Sequence, residues 1–445
     1  MTYKLKSKTN LALILLLLIF VYFSFIGSFS NIHLFNIIIS IFVFAYYLFK
    51  NMRDIILLKL IVYLMFFDIN DLFTFGGVFN LRIWYFIVIF LLIKVFIVEL
   101  RTPKIRFKIS NVILAISMIV LSLFSIFING SSMDGILFLM RLIVFYFPVL
   151  FLFIKLINEK MLVYDILFFF TSMILFSTLT GIIQMFFLTQ GNDILYSVGT
   201  MRPQAYFSET TWYSEYAVIG LIVALIQQYE RKIVKYFILF INVLAVVLSM
   251  TRNAILGLLV VVVYILFVRR KKEEVVALIA IISVALISYG FALTKSDYLL
   301  GFEFITDKFN LSDASALGRL DAIKANIEYL MDTQKFLWGS GFSFNDASEL
   351  SGSAIGAKSF NLFLAVFSSA GNLLFLIFSF TIGRIYIKYF SNTSRNAFNS
   401  AGLLMFTVYL IYSMFAPFHF YPLSWFVLGL SLILIRFPKN NLQYN

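Results

Sequence analysis

Residues 294–358, TKSDYLLGFEFITDKFNLSDASALGRLDAIKANIEYLMDTQKFLWGSGFSFNDASELSGSAIGAK, form the one long polar stretch in a chain that is otherwise nearly continuous hydrocarbon. Of 445 residues, 62% are hydrophobic, 19% aromatic and only 13% charged, and the mean hydropathy is +0.96. A soluble domain carries roughly a quarter charged residues. The composition therefore predicts an all-α, polytopic integral membrane protein: one transmembrane helical domain over 1–445, with 294–358 as a large extracytoplasmic loop.

Outward from that loop, apolar runs long enough to span a bilayer number about fourteen. They lie near 11–30, 32–49, 55–70, 82–99, 110–128, 135–157, 161–189, 212–228, 232–250, 253–268, 273–293, 359–383, 396–415 and 421–436. The run from Leu11 to Phe29 is too long for a signal-peptide core and lacks a small-residue cleavage site, so it reads as the first span. Most of the 35 basic residues fall in alternate connections, from Lys4, Lys6 and Lys8 through Arg269–Lys272 to Arg436 and Lys439. Cytoplasmic loops carry that excess. Both termini are thus expected in the cytoplasm and the polar loop outside. The formal charge of +13 reports orientation in the bilayer and gives no reason to expect nucleic acid. With no Cys and only His33 and His419, disulfides, thiolate sites and a zinc site are excluded.

Within the loop, Leu317, Leu320, Ile323, Ile327 and Leu330 recur at helical spacing behind Ser315, a suitable N-cap. The run stops at Trp338-Gly339-Ser340-Gly341. Nine acidic residues against six basic ones do not suit a surface that grips anionic head groups. An amphipathic helix lying on the outer membrane face, or capping the bundle, is expected.

Three groups could carry chemistry. Arg141 lies inside a span, GILFLMRLIVFYFPVLFLFI, where a charge costs about 3 kcal/mol or more unless it meets a partner or a wet cavity. It either snorkels outward or binds an anion, and Pro148 should kink its helix. On the outer side, RPQAYFSETTWYSEY (202–216) offers Arg202 as an anion fork and Glu209 and Glu215 as acids. Tyr206, Trp212, Tyr213 and Tyr216 there serve as sugar platforms or as an interfacial aromatic belt. Arg252, in SMTRNAILGLL, falls in a tight outer turn, either as a helix cap or as a third anion ligand.

In order and spacing, Arg202 with AYFSE, Ser249-Met250-Thr251-Arg252-Asn253-Ala254, Gly318-Arg319 with LWGSGFS, and SFNLFLAVFSSAGNLL (359–374) resemble the O-antigen polymerase and O-antigen ligase family. APFHFYPLSWFVLGL (416–430) resembles that family's last outer loop. The resemblance, which covers most of the chain, implies a metal-free, cofactor-free glycosyltransferase acting on polyprenyl-diphosphate-linked oligosaccharide donor and acceptor at the outer face of the bacterial cytoplasmic membrane. It implies that Arg202, Arg252 and Arg319 hold the diphosphate and that Gly339 and Gly341 shape the loop beneath it; Arg141, as the intramembrane cation, is the further expected diphosphate ligand. Many members, ligases especially, place a His-Asn pair before the helix after the loop; here the pair is Phe360-Asn361.

A lipid diphosphate is a good leaving group, so catalysis can rest on charge neutralisation and orientation. Glu209 is the expected base, with Arg252 and Arg319 as the catalytic cations and Glu215 in reserve. Tyr206, Trp212, Tyr213, Glu215 and His419 are the expected sugar contacts. The missing histidine favours a Wzy-type polysaccharide polymerase over a ligase-type transferase, with the lipid bilayer and a chain-length regulator as further partners. A lipid-linked oligosaccharide flippase is the rival from another class, and it would call for two related halves and a charged central cavity.

Overall fold

The computed structural model describes residues 29–50, 53–66, 71–75, 79–101, 109–129, 133–157, 159–188, 205, 207, 210–227, 229, 231–249, 251–269, 272–295, 321, 324–325, 327–341, 362–390, 397–415 and 422–436. The expected first span at 11–30 lies outside them. The helices are α1 (Phe29–Lys50), α2 (Ile55–Phe66), α3 (Ile83–Arg101), α4 (Ile109–Asn129) and α5 (Met133–Arg141). A π-helical turn (Leu142–Tyr146) leads from α5 into α6 (Phe147–Leu156). Then come α7 (Lys160–Leu188), α8 (Thr210–Ile226), α9 (Lys232–Ser249) and α10 (Arg252–Tyr264), which passes through a second π turn (Ile265–Arg269) to α11 (Lys272–Lys295). Beyond the polar stretch 294–358 lie α12 (Leu362–Phe390), α13 (Ala397–Phe415) and α14 (Pro422–Arg436).

Each expected span from 32–49 onward overlaps helical residues. Among the described residues, seven helices are long and apolar enough to cross a membrane, and five further apolar helices are shorter. One of the short ones, α2, ends at Phe66, well before the expected end of its span near 70. The chain there turns into an antiparallel hairpin of β1 (Asp71–Phe75) and β2 (Phe79–Arg82), pairing Asp71 with Arg82 and Phe75 with Phe79. Gly76 and Gly77 stand between the strands in sequence, which suits a hairpin turn. This hairpin is the one departure from an all-helical reading among the described residues.

α8 lies at the centre. Nearly every one of its residues is buried, because α7, α9, α10 and α13 pack around it. A helix apolar on all sides has no face to leave outside. Gly220 of α8 makes the close approach possible, since a Cβ there would meet Ile174 of α7 at 2.5 Å and Asn242 of α9 at 2.8 Å. Peripheral helices instead leave large apolar side chains such as Phe42, Phe49, Phe127 and Ile387 exposed, the surface a hydrocarbon solvent accepts.

One end of the bundle is held by ion pairs. Lys59 meets Asp165 at 2.7 Å, Lys94 meets Asp54 at 2.5 Å, and Lys155 pairs with Glu99. Glu274 takes both Lys235 (2.9 Å) and Arg269 (3.1 Å), while Arg269 also donates to the Leu225 carbonyl at 2.6 Å. This is the end where the sequence gathers its basic residues. Burial raises the pKa of the nearby Tyr229 phenol above its ordinary value.

Candidate functional site

At the opposite end, the approach to α8 is pinned to α7. The Ala205 amide donates to Gln184 Oε1 at 2.8 Å, and Ala205 adopts φ +50°, a conformation uncommon for a residue with a Cβ. Phe207 stacks on Tyr216 (5.1 Å, 15°) and tilts against Phe66 of α2. The Tyr213 hydroxyl donates to the Thr178 carbonyl at 2.9 Å. Its ring lies over Gly181, where a Cβ would come within 2.4 Å.

The first turns of α8 then meet the connection between α9 and α10. Ser214 Oγ lies 2.5 Å from Thr251 Oγ1, and Thr251 Oγ1 is 3.4 Å from Ser249 Oγ. Asn253 Nδ2 donates to Glu215 Oε1 at 3.3 Å. Glu215, Ser214 and Ser249 have no solvent exposure, so a carboxylate stands inside the bundle. Charges in such a place are rare and usually tied to function. Tyr412 of α13 lies within electrostatic reach of Glu215, and its hydroxyl fills the space over Gly257 of α10. Arg252, half-buried, is the first residue of α10. The helix macrodipole disfavours a cation at that position, whereas an anion placed there would meet both the guanidinium and the helix N-terminus.

A second region surrounds Arg141. The π turn follows it directly and ends just before Pro148. Pro148 has no amide to donate and its ring crowds the preceding turn, and a widened turn relieves both problems. On that turn, Tyr146 stacks between Trp84 (6.1 Å) and Trp425 (5.8 Å), and Phe145 stacks on Tyr85 at 3.8 Å. Next to this column is a cavity of about 240 Å³ walled almost entirely by hydrocarbon, with Leu139, Ile143, Phe147, Val366, Phe378 and Trp425 among its lining.

The cavity's wall includes Ser369, where α12 is broken. Gly371 sits at φ 77°, ψ −178° inside that helix. The Gly339–Gly341 turn of the polar loop lies in the break. Ser340 N donates to Ser368 O (2.7 Å), Gly341 N to Ser369 O (3.1 Å), and Asn372 N to Phe336 O (2.9 Å). Ser125 Oγ of α4 adds a bond to Ser369 O at 2.7 Å, and Trp338 packs edge-on against Phe124 at 4.9 Å. The loop thus satisfies backbone groups that the broken helix would otherwise leave bare in hydrocarbon.

Among the sequence candidates, Arg202, Tyr206, Glu209, Arg319 and His419 lie outside the described residues. Arg252 and Glu215 are brought to one junction through Asn253. Arg141 stands elsewhere: its π turn packs on α3 and α6 packs on α14, while α10 packs on α8 and α13. Trp212 is half-buried. Tyr213 is 1% exposed, and its hydroxyl is engaged with α7. Glu215 is likewise fully buried. Thr251 and Asn253 were visible in the sequence only as neighbours of Arg252, and Ser214, Gly257 and Tyr412 carried no local signal at all.

Residues 237–379 match the family model described as O-Antigen ligase. The matched stretch begins in α9, includes the Arg252 junction, Arg319 and the Gly339–Gly341 turn, and ends in α12 beyond the Gly371 break. It supports a glycan-processing membrane enzyme of the O-antigen ligase kind. No curated protein and no solved structure matches the chain.

Proposed function

We propose that this protein is a bacterial polysaccharide polymerase. It moves a growing glycan from polyprenyl diphosphate onto the non-reducing-end sugar of a lipid-linked repeat unit, at the outer face of the cytoplasmic membrane. The observation that carries the reading is Arg252 as the first residue of α10, flanked by two residues of a buried polar junction and inside the stretch that matches the O-antigen ligase family model. Two positive features at one point suit a dianionic diphosphate.

In the reaction, the bond from the donor sugar's anomeric carbon to phosphate oxygen breaks, and the bond from that carbon to the acceptor hydroxyl oxygen forms. The electron pair leaves with the lipid diphosphate, where Arg252, with Arg202 and Arg319, neutralises the growing charge. The acceptor's proton goes to a carboxylate, for which Glu209 is the assignment. The hydrocarbon-walled cavity beside the α12 break is of a kind to take part of a lipid tail.

A ligase-type transfer to a different acceptor is the second reading, favoured by the description of the matched family; Phe360 in place of a histidine weighs against it. The test is the full chain in liposomes with lipid-linked repeat units. Laddered polymer is expected, and Arg252→Ala and Arg319→Ala should leave single repeat units on lipid. Polymer of normal length from both variants at normal protein level overturns the site assignment. Product formed only on a non-repeat acceptor lipid overturns the polymerase reading in favour of the ligase.

A further inference from the structure

Two consecutive residues of α8 hold two residues of the α9–α10 connection, and the residue between those two is Arg252. Ser214 Oγ meets Thr251 Oγ1 at 2.5 Å, and Glu215 Oε1 accepts from Asn253 Nδ2 at 3.3 Å. Successive side chains on a helix diverge by about 100°, so neighbouring residues of α8 can reach two separate points of a turn crossing its end. We propose that Ser214 and Glu215 are positioning residues that fix the backbone on both sides of Arg252, and so aim its guanidinium at the donor diphosphate. The inference rests on the reading of Arg252 as a diphosphate ligand.

Three observations support the assignment. α8 is buried on all sides, which makes it a firm anchor. Thr251 occupies the N-cap position of α10, yet its side chain makes no capping hydrogen bond; its hydroxyl faces Ser214 and Ser249 instead. A residue type that ordinarily stabilises a helix start is used here to tie two helices together. Glu215, finally, is wholly buried and bonded to the side chain adjacent in sequence to Arg252, a position suited to orienting that arginine and not to taking a proton from a sugar hydroxyl.

The test uses the full chain in liposomes with a polyprenyl-diphosphate-linked repeat unit as donor, reading kcat and KM together with melting temperature. Asn253→Ala and Glu215→Ala should each lower kcat/KM by about 10–100-fold, the scale of a misplaced catalytic group. Glu215→Gln, which keeps an acceptor for Asn253 Nδ2, should return to near the wild-type rate. The Glu215→Ala/Asn253→Ala double variant should be no slower than the slower single, since both remove one tether. If Glu215→Ala does not fold, Asn253→Ala and Glu215→Gln decide the matter. A Glu215→Gln enzyme as slow as Glu215→Ala overturns the proposal in favour of proton transfer, and Asn253→Ala at wild-type rate overturns it outright. If Arg252→Ala itself is fully active, the reading of the site fails and the positioning role fails with it. If Arg252→Ala is dead while the tether variants run normally, only the positioning role falls.

Discussion

Gly339 and Gly371 meet backbone to backbone. A Cβ on Gly339 would lie 2.5 Å from the Ala370 amide nitrogen, and one on Gly371 would lie 2.0 Å from the Leu337 carbonyl oxygen. Both have positive φ, 74° and 77°. The Gly339 turn is therefore seated in the α12 break by main chain, with no room for a side chain on either partner. Gly371→Ala should destabilise the folded protein by about 2 kcal/mol or more, from a left-handed conformation and an immovable neighbour together. Gly383→Ala in the same helix, where a Cβ meets nothing within 4 Å, should melt like the parent. Thermal melts in detergent compare the two, and equal melting of both variants would contradict the seating.

Gly257 and Tyr412 form a second tight pair, with a Cβ at Gly257 falling 2.0 Å from the Tyr412 hydroxyl. Gly257→Ala should cost about 1–3 kcal/mol by overpacking. Tyr412→Phe, which removes the obstructing oxygen, should restore part of that loss, so the double variant is more stable than additivity predicts. A double-mutant cycle on melting temperature checks this, and simple additivity would place Tyr412 elsewhere.

Tyr213 spends its hydroxyl on Thr178 O. Tyr213→Phe is expected to lower stability by about 1 kcal/mol and to leave the turnover of the folded enzyme unchanged. A raised KM for either lipid-linked substrate at unchanged melting temperature would return Tyr213 to the substrate site.

Val366 lines the hydrocarbon-walled cavity. If a donor lipid tail enters there, Val366→Phe should exclude two or three of its carbons, forfeiting about 2 kcal/mol or roughly a thirtyfold rise in donor KM. The effect should vanish with a donor whose tail is too short to reach the cavity. An equal rise for long-tail and short-tail donors would show that the substitution acts on packing alone.

The positions of the helices were legible in the sequence because a span is a local property: some twenty apolar residues in a row meet the bilayer's thickness wherever they occur. The same holds for the ends of the bundle, since Lys59, Lys94, Lys155, Lys235 and Arg269 were marked by charge alone, although their carboxylate partners were not. Arg252 was legible too, as a cation in a turn too short to need one. The hairpin at Asp71–Arg82 was not, because the apolar run of α2 carries on in sequence through Phe67 and Ile69 and the next begins at 82, which leaves only what reads as a short connection between two spans.

Tertiary structure alone decided which polar side chains lie inside. Nothing local marks Glu215 as interior, yet it falls where α8 is enclosed by four helices, and burial is set by neighbours distant in sequence. The bonds from Ser214 and Glu215 to Thr251 and Asn253 exist because α8 and α10 pack side by side, and helix packing depends on how small and large residues interdigitate across chain segments. The break at Gly371 follows the same logic. The sequence offers a glycine in an apolar run, which a membrane helix can absorb; only the arrival of the Gly339 backbone supplies the hydrogen bonds that let the helix open there.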